Sequence, residues 1–148
     1  MNLVQKAEHW GDTHHTRWLD AIRFLLGVFI FIKGITFVSD MKPLQDLMSL
    51  RFSYIPVFIV HYVAFAHLVF GPFIAIGLLT RFSCAVQIPI LLGAVFFINM
   101  APGFDIINSE LWLSIIVLSL LIFFFISGSG PLSVDEYMKK HIKLPDGY

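Results

Sequence analysis

The stretch Leu120-Leu-Ile-Phe-Phe-Phe-Ile126 is apolar on every face of any regular structure that it can form. A surface helix of a soluble protein keeps a polar face toward water, whereas a helix that is apolar all round lies in a large core or in lipid. The stretch ends a longer apolar segment, 111–126, and the chain holds three more such segments, at 21–38, 57–79 and 83–98. This pattern predicts a helical membrane protein.

The composition excludes a soluble domain of this size. Of the 148 residues, 57% are hydrophobic and 14% are charged, with a mean hydropathy of +0.81. A typical soluble domain is about 45–50% apolar and about 25% charged, and a small globule has too much surface to hide the excess. Ten basic residues balance ten acidic ones, which gives no case for nucleic acid, and the single cysteine, Cys84, excludes an internal disulfide.

Each apolar segment is close to the length that crosses a bilayer. A hydrocarbon core of about 30 Å needs about 20 helical residues, and backbone groups in lipid must bond within their own segment. Continuous apolarity, without alternation, favours helices over strands. We therefore expect an all-α fold, a four-helix transmembrane bundle with short interfacial N- and C-terminal segments, formed by a single domain over residues 1–148.

The distribution of Lys and Arg predicts the orientation of the bundle. Four spans place both termini on one side, together with the connection between the second and third spans. That side holds six basic residues, Lys6, Arg17, Arg81, Lys139, Lys140 and Lys143, and the opposite side holds two, Lys42 and Arg51. Because basic residues concentrate on the cytoplasmic side, we expect cytoplasmic N- and C-termini. On that side Ser133-Val-Asp-Glu136 is a capping-box pattern, which predicts a short helix after the last span.

Ionisable residues within the spans are the candidates for function, because a charge at mid-bilayer costs about 2.5–3.5 kcal/mol. Arg23 shares a stripe of the first helix with Gly27 and Gly34. Glycines let a neighbouring helix approach closely, so this stripe is predicted to face the bundle. Lys33 is the deepest lysine or arginine in the spans. Either Lys33 acts inside the bundle, or its four-carbon stem carries the ammonium out to the headgroups.

The second span contributes two histidines. His61 and His67 project about 120° apart, so they cannot hold one metal ion from a single helix. His67 precedes Pro72, which frees a backbone carbonyl and suits a small cavity. A neutral His67 that is hydrogen-bonded to a neighbouring helix explains the same position. Gln87, on the third span, is interpreted as an interhelical hydrogen-bonding residue, and Glu110 also complements the dipole of the fourth helix.

The outer half of the bundle is the expected location of the site. We expect Lys33, His67 and Glu110 to line one polar cavity that opens to the outer side. The sequence contains no catalytic motif and no metal-binding signature. The complete set of candidate ligand or cavity residues is Lys33, His61, His67, Glu110, Arg23, Arg81 and Gln87.

Several short motifs resemble those of the DoxX-like family of small four-helix membrane proteins. They are Arg23-Phe-Leu-Leu-Gly27, Gly71 with Gly77-Leu-Leu-Thr-Arg81, Glu110, and Gly128-Ser-Gly-Pro-Leu-Ser-Val-Asp135. The resemblance extends from about residue 20 to residue 137 and rests on the order and spacing of these pieces. It implies a location in the bacterial inner membrane and an association with redox complexes. Phe37 and His67 stand where members of the family often carry a lysine and a glutamate.

Two functions of different classes remain open at this point, and a third is weighed against them. The first is a non-catalytic membrane subunit that docks a redox enzyme near a quinone, and aromatic-rich spans suit such a flat apolar ligand. The second is a carrier or channel for a proton or small solute, supported by the intramembrane Lys33 and His67. A haem held by two histidines is not expected within one chain, although a homodimer could supply equivalent ligands. The expected partners are the lipid bilayer, a redox-enzyme subunit and a second copy of the chain.

Overall fold

The computed structural model describes residues 17–49, 57–99 and 109–141, and these ranges are helical without any strand. We number the helices in chain order. They are α1 (Arg17–Ser39), α2 (Lys42–Ser49), α3 (Val57–Ile76), α4 (Thr80–Gly93, continued by a π-helical segment, Ala94–Asn99), α5 (Ser109–Ser127) and α6 (Val134–His141). The all-helical fold expected from the sequence is confirmed. The N-terminal interfacial segment, 1–16, lies outside the described residues.

By length and composition, three of the described helices can cross a membrane: α1, the Phe58–Ile76 part of α3, and α5. The fourth apolar helix, Thr80–Phe96, is shorter than the other three. A bundle with several membrane helices is therefore established, and the count of four spans stays a prediction. Many large apolar side chains on these helices are exposed, as expected for surfaces that face lipid.

Among the described helices, α1 and α3 make the most extensive contact. The stripe of α1 that contains Arg23 and Gly34 is buried, which confirms that it faces the bundle. A Cβ atom added to Gly34 would lie 2.6 Å from the backbone nitrogen of Leu68. The backbone of α3 approaches Gly27 even more closely, at Ala75. Small residues on both helices thus allow backbone-to-backbone packing, which is a common means of association in lipid.

Helix α4 packs against α5 and α3, so that the helices share one core. The buried apolar cluster takes residues from α1, α3, α4 and α5: Leu26, Ile30, Ile74, Cys84, Leu91, Val117, Leu121 and Phe124. The chain passes from α3 to α4 through a tight turn at Gly77 and Leu79, both with positive φ, of 74° and 47°. This turn explains why α3 ends at Ile76 and α4 begins at Thr80, whereas the sequence placed these boundaries at 79 and 83.

The two ends of the bundle differ in their connections. We call the end with Arg17, the Gly77–Leu79 turn and the segment between α5 and α6 the turn end. The end with Ser39, Val57, Asn99 and Ser109 is the loop end. Helix α6 lies at the turn end and begins at the expected N-cap, where the Glu136 N–H donates to Ser133 Oγ at 3.1 Å. The placement of the turn end in the cytoplasm stays a prediction.

Candidate functional site

At the turn end, Asp135 of α6 caps the N-terminus of α4. Its Oδ1 accepts the backbone N–H of Leu79 at 2.9 Å and its Oδ2 accepts that of Thr80 at 3.2 Å. The Asp135 N–H in turn donates to the Gly77 carbonyl at 3.1 Å. The first N–H groups of a helix have no partner within the helix, and a carboxylate also complements the helix dipole there. The start of α6 is thereby attached to the turn between α3 and α4.

A buried ion pair lies beside this cap. Arg23 Nη1 donates to Asp20 Oδ1 at 2.9 Å, and both side chains are buried. The second carboxylate oxygen of Asp20 accepts the N–H of Leu132 at 3.3 Å. The Arg23 guanidinium also packs against the backbone of Gly77, where an added Cβ would be 3.0 Å from Cζ. Buried ion pairs persist only where their remaining hydrogen-bonding groups are largely satisfied, and here the backbone of the α5–α6 segment supplies one of the partners.

Arg81, in the first turn of α4, contacts α5 at the same end of the bundle. Its Nη2 donates to the carbonyl of Ile126 at 3.4 Å, near the end of α5. Cations at helix C-termini interact favourably with the last carbonyls. Arg81 therefore acts as a C-terminal partner of α5, and it lies at the opposite end of the bundle from Lys33.

The buried side of α4 carries a group of polar residues. Thr80, Ser83 and Gln87 are all fully buried. Gln87 Nε2 donates to the Ala66 carbonyl of α3 at 2.9 Å, which is the interhelical bond expected of this amide. Five buried polar atoms find no hydrogen-bond partner among the described residues: Arg23 Nε, Thr80 Oγ1, Ser83 Oγ, Gln87 Oε1 and Ser127 Oγ. An unpaired buried polar group costs about 1–3 kcal/mol, so these atoms indicate a hydrated or ligand-binding region.

At the loop end, the structure brings two of the predicted site residues together. Lys33 Nζ of α1 lies 3.5 Å from Glu110 Oε2 of α5. The lysine side chain is 34% exposed and the glutamate 65%, so the pair lies at the edge of the bundle. The ammonium is also 6.0 Å from the centre of the Phe29 ring. This geometry joins α1 to α5, which otherwise make few contacts.

His67 is buried close to this pair but bonds within its own helix. Its Nδ1 lies 2.8 Å from the Val63 carbonyl, one turn earlier. Its ring meets Phe37 edge-on, with centroids 5.4 Å apart. The backbone of His67 packs against Gly34, the residue that follows Lys33. The cavity in which Lys33, His67 and Glu110 would meet stays a prediction.

His61 lies on a different surface. It lines an open groove of about 520 Å³ at the loop end, between the end of α1 and the first turns of α3. Aromatic rings from α3 form much of the wall, and the Phe58 and Tyr62 rings stack 6.5 Å apart. The lining residues are Val38, Met41, Phe58, His61, Tyr62, Ala64, Phe65 and Leu68. The groove is almost wholly apolar, as a site for a flat apolar ligand would be.

The sequence-predicted residues thus divide into separate regions. Lys33, Glu110 and His67 belong to the loop half, Arg23 and Arg81 to the turn end, and Gln87 to the buried side of α4. Sequence reasoning missed Asp20, although its spacing of three from Arg23 is that of neighbours on a helix. It also missed the contact of Asp135 with α4, because no local pattern connects two segments more than fifty residues apart.

Comparisons with known proteins agree with the architecture. The sequence profile of the DoxX family matches residues 18–100, a range that runs through α1 to α4. The chain is also similar to a protein of Haemophilus influenzae that carries the description "Uncharacterized protein". The two are 32% identical over 124 residues, which cover 80% of this chain and 82% of that protein. No solved structure matches the chain.

Proposed function

Because the chain belongs to the DoxX family, we propose that it is a non-catalytic membrane subunit that holds a redox enzyme beside membrane quinone in the bacterial inner membrane. The exposed apolar helices support a role within the lipid bilayer. Arg23, Lys33 and Arg81 are engaged in ion pairs or helix-terminal contacts rather than directed together at one reaction centre. A subunit of this kind binds and positions its partners and leaves the chemistry to the enzyme.

The observation that carries this proposal is the apolar groove at the loop end. It opens beside the Tyr62 and Phe65 rings, both of which are exposed. A quinone ring is flat and apolar and stacks on aromatic side chains, and such contacts contribute about 0.5–1.5 kcal/mol each beyond area burial. The Tyr62 hydroxyl adds a donor that a quinone carbonyl can accept. Ring stacking with one hydrogen bond is the recognition that we assign to the groove.

Photolabelling with an azido-ubiquinone analogue tests the proposal on the full chain in lipid nanodiscs. We expect labelled peptides from the α3 segment that contains Tyr62 and Phe65. Phe65→Ala should weaken the labelling about threefold to tenfold, because it removes one aromatic contact. The matched control is Phe24→Ala, which removes an exposed phenylalanine of α1 outside the groove and should leave the labelling unchanged.

Two results would overturn the quinone proposal. One is labelling spread evenly over the lipid-facing helices, since a partitioned quinone without a site reacts wherever it diffuses. The other is an equal loss of labelling in the Phe65 and Phe24 variants. The amount of unmodified quinone that stays bound to the protein through purification supplies an independent measurement, which does not depend on photochemistry.

A second candidate function is a carrier or channel for protons or a small solute, and the Lys33–Glu110 pair favours it. The pair joins α1 to α5, and the buried His67 packs against Gly34, the residue after Lys33, so three ionisable groups lie in the loop half. Proteoliposomes with a trapped pH indicator distinguish this function from the first. A carrier gives proton uptake that Lys33→Met abolishes and Phe65→Ala does not, whereas a docking subunit gives no uptake above that of empty liposomes.

A further inference from the structure

The buried side of α4 carries more polar groups than the surrounding protein satisfies. Thr80, Ser83 and Gln87 are each 0% exposed. Among the described residues, the two hydroxyl oxygens and Gln87 Oε1 have no hydrogen-bond partner. The helical repeat places the three side chains within an arc of about 60° and along about 10 Å of the helix axis. They form one continuous row, which we call the α4 polar row.

Two further residues extend the row at the turn end. Arg23 Nε and the Ser127 hydroxyl are also buried without a partner in the described part of the chain. Leu26, about one turn after Arg23, packs in the same buried cluster as Cys84, which lies one residue after Ser83. Phe124, one turn before Ser127, packs in the same cluster as Cys84. Polar atoms from α1, α4 and α5 thus border one interior region.

Two exposed helical hydroxyls, Thr36 and Ser119, are bonded differently from the buried hydroxyls of the row. The exposed Thr36 donates to the carbonyl of Ile32 at 3.0 Å. The exposed Ser119 donates to that of Ile115 at 2.8 Å. A hydroxyl on a helix in lipid ordinarily donates its hydrogen bond to a backbone carbonyl of the preceding turn of the same helix. The buried hydroxyls of the row do not use it, which indicates that they are directed toward another group.

The chemistry of the row defines that group. Asp20 neutralises Arg23, so there is no net positive charge to attract an anion. The described residues contain no cluster of three metal-binding side chains. The row offers both a donor, Arg23 Nε–H, and an acceptor, Gln87 Oε1, with hydroxyls that can do either. The three row residues are each 0% exposed, so their partner lies inside the bundle, and water is the smallest molecule that can both donate and accept.

We propose that the α4 polar row binds a short file of water molecules that runs from the turn end to Gln87. A buried water makes about three hydrogen bonds and is found where polar groups are otherwise unpaired. The file hydrates one half of the bundle interior and brings water to the Cys84 thiol. It rests on the row alone and is independent of the quinone groove.

Water-edited solid-state NMR tests the proposal on the full chain in lipid bilayers. Cysteine-selective ¹³C labelling gives one signal, because Cys84 is the only cysteine. We expect magnetisation from water to reach Cys84 Cβ roughly fivefold faster than in the variant Ser83→Ala/Gln87→Leu, in which two polar groups of the row are removed. The control is Cys84→Ala/Ile116→Cys, which moves the label to a lipid-exposed position of α5.

The outcomes are distinct. Fast transfer at Cys84 and slow transfer at the relocated cysteine support the file. Equal transfer at the two positions overturns it, and this comparison holds even if the variant of the row does not fold. Equal transfer in the native chain and a folded Ser83→Ala/Gln87→Leu variant also overturns it, because the water would then not depend on the row.

Discussion

The Asp135 carboxylate lies 2.9 Å from the backbone nitrogen of Leu79, although the two residues are 56 positions apart in the chain. This contact attaches the segment after the last span to the turn between α3 and α4. The ion pair of Asp20 and Arg23 lies beside it and accepts the N–H of Leu132. Residues from three of the motifs that resemble the DoxX-like family therefore meet at the turn end, whereas the fourth, Glu110, lies at the loop end.

The first prediction concerns the Asp135 cap. Asp135→Ala should lower the free energy of unfolding by about 0.5–2 kcal/mol, as the loss of a helix cap does. Thermal or denaturant unfolding in detergent micelles measures the change. Glu136→Gln is the control, because it keeps the backbone bond to Ser133 and removes only the charge paired with the exposed Lys140, at 3.7 Å, and such surface pairs contribute about 0–1 kcal/mol. Equal destabilisation by the two variants would contradict the capping role.

The second prediction concerns the turn. Gly77 has a φ of 74°, and an added Cβ would lie 2.5 Å from Ser133 Cβ. Gly77→Ala should therefore destabilise the protein by more than the roughly 1 kcal/mol typical of alanine at positive φ. Gly93→Ala is the matched control, since Gly93 is helical and has open space around its Cα. That change should be neutral or stabilise the protein by up to about 1 kcal/mol, and the reverse order in unfolding experiments would refute the argument.

The third prediction uses the buried ion pair. Arg23→Met leaves the Asp20 carboxylate buried beside apolar groups, which should cost about 3–5 kcal/mol. The double variant Asp20→Asn/Arg23→Met should lose less than the sum of the single variants, because it leaves no buried unpaired charge. A double-mutant cycle in unfolding free energy measures this coupling. Strict additivity would show that the two side chains do not stabilise each other.

The fourth prediction concerns the orientation of the bundle in the membrane, which the distribution of Lys and Arg in the sequence predicts. Single cysteines at Gln45 and Lys140 in a Cys84→Ser background lie in exposed positions on α2 and α6, at opposite ends of the bundle. A membrane-impermeant thiol reagent should label position 45 in intact spheroplasts and position 140 only after lysis, because basic residues favour the cytoplasmic side. Labelling of position 140 from outside would reverse the topology.

The sequence predicted those features that depend on local patterns. Uniform apolarity predicted the helices, and the capping-box pattern at Ser133 predicted α6. The glycine stripe predicted the buried face of α1. The contact of Asp135 with Leu79 could not be predicted, because a cap supplied from a distant segment depends on how the helices are arranged in space. For the same reason Arg81 could be placed in the chain but not assigned a partner, since its contact, the Ile126 carbonyl, lies on α5. Lys33 and Glu110 were expected to lie together from their shared depth in the spans, and the structure pairs them.

The fifth prediction separates a structural His67 from a functional one. His67 Nδ1 bonds the Val63 carbonyl, and in an α-helix that carbonyl also accepts the backbone N–H of His67. His67→Leu therefore leaves no backbone group unpaired, and it replaces a polar ring by an apolar one among apolar neighbours. We expect the free energy of unfolding to stay within about 1 kcal/mol of the native value or to rise.

The measurement pairs unfolding in micelles with the proton-uptake assay in proteoliposomes. His61→Leu is the control, because His61 is an exposed histidine of the same helix. Loss of uptake in the His67 variant with unchanged stability would assign His67 to a proton pathway and favour the carrier function. A loss of more than about 2 kcal/mol would instead contradict the prediction, because it is the size expected when the ring holds a second helix through a buried hydrogen bond. The carrier function thus requires the His67 side chain, whereas the docking-subunit function does not.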